Sequence, residues 1–133
     1  MAVNEIINWG KSHKRKLFQI DGLGAVMSAV LLGIVLVNLE SIFGIPKSAL
    51  YILAALPCIF AIYDIYCYYR IEQNLELYLK AIAVANLLYC ILSIGLAIYH
   101  RVSITILGWA YIIAEVIIIC VLSYLELSVA IDR

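Results

Sequence analysis

LYLKAIAVANLLYCILSIGLAIY, residues 77–99, decides the fold. A bilayer core about 30 Å thick needs roughly 20 predominantly apolar residues in one helix. This run meets that length with one ionisable residue, Lys80, and one amide, Asn86. Three further runs, at 17–39, 49–69 and 104–125, read the same way, so the chain is expected to be an all-α, integral membrane, four-helix antiparallel bundle forming one domain over 1–133. The connections are short. Residues 41–48 carry Gly44 and Pro46, which break helix, and Ser48 can cap the second span; residues 71–74 and 100–103 form the other two. Short loops make consecutive helices antiparallel neighbours.

Composition agrees. Of 133 residues, 66% are hydrophobic and 14% charged, against about 25% charged in soluble domains. Formal net charge is zero and the basic residues cluster once, near the N-terminus, so no nucleic-acid partner is expected. The lipid bilayer is the expected surrounding, and the bacterial inner membrane the expected location. The stretch after Lys14, Arg15 and Lys16 is too long for a signal-peptide core and carries Asp21 early, so it reads as a retained span. Residues 2–9 could form a short interfacial turn.

Lysine and arginine set the orientation. One side holds Lys11, Lys14, Arg15, Lys16, Arg70 and Arg133, and the other Lys47 and Arg101. Both termini are therefore expected in the cytoplasm. Tyr51, Tyr68, Tyr69, Tyr78, Tyr99, Tyr124 and Trp109 lie near span ends, where aromatic side chains anchor at the interface.

Four ionisable residues fall within the apolar runs: Asp21, Asp64, Lys80 and Glu115. Such groups are costly in a membrane and call for a partner or a task. Asp64 and Lys80 lie about equally far from the second loop, so helical rise places them at one depth and predicts an ion pair between neighbouring helices. Asp21 enters from the same side and leaves one acid in excess. Glu115 stands near the middle of its run, roughly 16 Å from either end, with no basic residue at its depth. Tyr89 and Asn86 are the donors expected near it. Pro57 is expected to kink the second span.

Helical spacing groups the polar residues inward. Ala83, Asn86, Cys90, Ser93 and Ala97 share one stripe, and Gly108, Tyr111, Glu115, Leu122 and Glu126 another. Asp21, Ala25, Ala29 and Gly33 recur every four residues, a spacing that allows close helix approach. The expected result is a polar cavity open toward the cytoplasm.

Asp21, Asp64, Asn86, Tyr89 and Glu115 are the candidate ligand- or proton-binding residues. The leading expectation is binding or transport of a small solute, cationic or proton-coupled. Four short helices rarely enclose a whole pathway, so transport would call for a homo-oligomer. A structural or regulatory subunit of a membrane complex is the second expectation. A lipid-modifying enzyme using Asp21 and Asp64 as acid and base is the third. No catalytic set stands out. His13 and His100 are the only histidines and lie on opposite sides, and Cys58, Cys67, Cys90 and Cys120 form no C-x-x-C pair. No cofactor or metal is implied.

Overall fold

The computed structural model describes residues 2–131, all of whose regular structure is helical. Helix α1 (Ala2–Ser12) precedes α2 (Lys14–Val30), which runs on through a π-helical segment at Leu31–Leu36. A single turn, α3 (Glu40–Phe43), leads to α4 (Lys47–Arg70), α5 (Leu75–Tyr99) and α6 (Ile106–Ile131). Four helices are long and apolar enough to cross a membrane: Lys14–Leu36, Lys47–Arg70, Leu75–Tyr99 and Ile106–Ile131.

Two boundaries differ usefully from the sequence reading. The N-terminal turn expected at 2–9 is an amphipathic helix extending to Ser12, with Gly10 and Ile7 turned inward. A Cβ on Gly10 would lie 2.7 Å from a methyl of Val129, so only glycine lets α1 sit this close to α6. The fourth run continues past 125 because Glu126 interrupts its apolar character without ending the helix.

The long helices pack as two pairs. Helix α2 lies mainly on α4 and α5 on α6; α2 and α6 touch little. Small residues explain the first pair. A Cβ on Gly22 would meet Asp64 Cβ at 3.3 Å, and one on Gly33 would meet Ala54 Cβ at 3.2 Å. The small-residue stripe of α5 is buried along its whole length. Within the π segment Leu32 and Leu36 face the core, on either side of Gly33. Pro57 is buried and α4 runs through it unbroken.

Two apolar cores result. One gathers Leu32, Leu36, Leu50, Leu53 and Ile112. The other gathers Leu17, Phe18, Cys67, Leu79, Ile82 and Val129 near the chain ends. Each long helix carries a buried polar residue between its contributions to the two cores: Asp21, Asp64, Asn86 and the pair Glu115 and Glu126.

Each end of the bundle is tied by polar contacts. The Arg15 guanidinium donates to the carbonyls of Tyr68 and Ile71, closing the C-terminus of α4, and Lys14 pairs with Glu76. At the far end Thr105 donates through its backbone N–H to Phe43 O (3.1 Å) and through its hydroxyl to Ile42 O (2.6 Å). Gly44 permits this clasp with a left-handed φ of 73°, and a Cβ on Gly108 would fall 2.1 Å from Phe43 O. The outward faces are strongly apolar, with Ile62, Leu88, Ile91 and Ile118 each more than 60% exposed. Such continuous apolar surface suits lipid rather than water.

Candidate functional site

The polar layer separates into two neighbouring groups. In the first, four helices each contribute one side chain. Asn86 of α5 donates to Asp21 Oδ1 of α2 at 2.8 Å. Asp64 of α4 and Glu126 of α6 both lie against the Asp21 carboxyl. All three acids are buried, and neither oxygen of Asp64 or Glu126 receives a hydrogen bond among the described residues.

The expected Asp64–Lys80 pair does not form. Lys80 is exposed while Asp64 is buried. Rise along the helix set their common depth, but rotation decides facing. Leu79, Ile82 and Ala83 turn α5 inward, and Lys80, one residue after Leu79, points about 100° away. Asp64 faces Asp21 instead.

The second group centres on Glu115. Tyr89 of α5 donates to Glu115 Oε1 at 3.0 Å, and Tyr111, one turn earlier on α6, donates to Oε2 at 3.2 Å. Ser28 of α2 lies beside the same carboxyl, one of the few contacts linking α2 to α6. Of the two donors expected for Glu115, Tyr89 serves it, and Asn86 serves Asp21. The ring of Phe60 on α4 meets Tyr89 edge-on, with centroids 6.4 Å apart, and holds the phenol in place.

Both groups border one cleft. It encloses about 210 Å³ between the two helix pairs. Its polar lining is Asp21, Ser28, Asn86, Tyr89, Tyr111 and Glu115; among the described residues no lysine, arginine or histidine lines it. Apolar residues including Leu31, Pro57, Phe60, Ile119 and Leu122 complete the wall. The cleft does not open to the basic end of the bundle, as the sequence suggested. The second apolar core fills that end, and the gap lies sideways, where α2 and α6 barely meet. Four of the five candidate residues line the cleft. The fifth, Asp64, lies behind Asp21 on the α2–α4 side.

Glu126 shares the Glu115 stripe in the sequence, eleven residues or close to three helical turns on, but falls just past the span ending at 125 and so outside the candidate residues; the structure buries it beside Asp21. Among the described residues, no group of three or more His, Cys, Asp or Glu side chains is arranged to hold a metal ion.

No known protein family, curated protein or solved structure matches this chain. The functional reading therefore rests on the geometry.

Proposed function

We propose that the chain is an integral membrane protein that crosses the bilayer four times with both ends in the cytoplasm, and that it binds a small cationic solute in the cleft beside Glu115. The span lengths and apolar outer faces support insertion. The basic residues support the orientation: Lys11, Lys14, Arg15, Lys16 and Arg70 share one end, against Lys47 and Arg101 at the other. Arg133, counted with the first group in the sequence, lies outside the described residues. Helix α1, with Val3 and Ile6 exposed, suits a position in the interface.

The carrying observation is the Glu115 carboxyl. Each of its oxygens lies within hydrogen-bond distance of a phenol, and among the described residues no lysine, arginine or histidine lines the cleft. A cationic head group would complete the site. The rings of Tyr89, Tyr111 and Phe60 in the same wall present surfaces that attract cations. A 150 Å³ apolar cavity admits about one benzene, so roughly 210 Å³ suits a head group of similar bulk. The acid–base enzyme reading has less support, because Asp64 is buried away from the cleft.

Tetramethylammonium binding to the purified chain in neutral-lipid nanodiscs tests this reading. Saturable binding is expected, weakened at least about tenfold in Glu115→Gln, a loss of roughly 1.4 kcal/mol. Equal binding by a normally helical Glu115→Gln variant would refute it.

A further inference from the structure

The cleft has a mouth as well as an anchor, and the mouth faces sideways. Gly24 and Met27 on α2, with Ala114 and Ile118 on α6, border the cleft and are exposed on the outside of the bundle. A Cβ on Gly24 would meet no atom within 4 Å. The groups that carry charge or hydrogen bonds lie further in: Glu115, Tyr89, Asn86 and Asp21 are all buried. The path from mouth to anchor therefore runs from apolar to polar, perpendicular to the long helices.

We infer that the solute is an amphiphile dissolved in the membrane, a cationic amine or quaternary ammonium with an apolar tail, which enters between α2 and α6 and leaves its tail in the bilayer. This rests on the cationic-solute reading above and adds the substrate class and the route. The geometry favours a tailed ligand for two reasons. About 210 Å³ holds the head group but not a long chain. The open side lies along apolar helix faces, so a tail leaving the cleft meets lipid without crossing a polar layer. A solute from water would instead have to pass one of the capped ends. There the Thr105 and Ser103 contacts to the α3 turn close one end, and the Leu17, Phe18 and Leu79 core closes the other.

The test compares tetramethylammonium with decyltrimethylammonium on the purified full chain in neutral-lipid nanodiscs. Each methylene removed from water strengthens apparent affinity by roughly fourfold, so the decyl compound is expected to bind more than about a hundredfold tighter in total concentration. Binding of both compounds is expected to weaken at least tenfold in Glu115→Gln. Gly24→Leu puts a side chain in the open mouth, where a Cβ meets no atom within 4 Å. It is expected to slow decyltrimethylammonium association at least tenfold; Ala114→Leu provides an independent second block.

Binding of tetramethylammonium without binding of the decyl compound would overturn the lateral route and leave the cationic site standing. Decyl binding unchanged by Glu115→Gln would show partition into lipid alone and overturn the inference. Decyl association unaffected by both mouth variants would overturn the route as well. Failure of both compounds to bind would remove the cationic-solute reading itself.

Discussion

The hydrogen bond from Tyr89 to Glu115 joins α5 to α6 in the interior, and its strength can be predicted. The phenol is 2% exposed, the carboxyl 8%, and the contact is 3.0 Å long. Interhelical hydrogen bonds in membrane proteins average about 0.6 kcal/mol and reach about 1.7 kcal/mol. Burial of both partners places this one in the upper half of that range, near 1 to 1.5 kcal/mol. Tyr89→Phe removes the hydroxyl and leaves the ring packed on Phe60. Glu115→Met removes the acceptor and keeps a long, flexible side chain. The carboxyl left by Tyr89→Phe still has Tyr111, whereas the hydroxyl left by Glu115→Met has no other hydrogen bond. The double variant strands neither group and should be more stable than the two single losses imply. Reversible unfolding in mixed micelles of rising dodecyl sulfate fraction, followed by circular dichroism, would give the four stabilities. A coupling energy within about 0.3 kcal/mol of zero, as for independent sites, would refute the contact.

Three other substitutions probe the frame. Gly108→Ala drives a methyl onto Phe43 O and breaks the clasp between Thr105 and the α3 turn. Overpacking and two lost hydrogen bonds are expected to cost about 2 to 4 kcal/mol in the same unfolding assay. Arg15→Ala opens the C-terminus of α4 and is expected to cost about 1 to 2 kcal/mol. Arg15→Lys keeps the charge but not the two-pronged contact, and should recover less than half of the loss. Lys80→Ala should change stability by less than about 0.5 kcal/mol, because the lysine is exposed. A buried ion pair at that position would instead lose roughly 3 to 5 kcal/mol.

How much the sequence disclosed depended on which property each inference used. Length and apolar character marked all four long helices, because those properties belong to each segment alone. Face periodicity also worked within a segment: the α5 stripe from Ala83 to Ala97 is buried throughout. Depth alone failed for Lys80, since it ignores helix rotation: the inward face set by Leu79, Ile82 and Ala83 turns the lysine outward. It also misplaced Asn86, whose amide serves Asp21 rather than Glu115. The direction of the cleft was not legible. It depends on α2 packing on α4 and α5 on α6, with little between α2 and α6, and that choice of neighbours is set by tertiary contacts such as Gly22 on Asp64. Glu126 sat on the inward stripe but outside the candidate site, because a charged residue near the end of an apolar run looks like the interface until the helix is seen to continue.

Photolabelling tests the central claim most directly. An alkyl quaternary ammonium carrying a diazirine next to the head group would be irradiated with the chain in nanodiscs, and the labelled residues mapped by mass spectrometry. The account predicts adducts at cleft residues such as Ser28, Tyr111, Ile119 and Leu122, lost when excess tetramethylammonium is added. Adducts confined to the outer faces at Ile62, Leu88 and Ile91, or insensitive to tetramethylammonium, would contradict it.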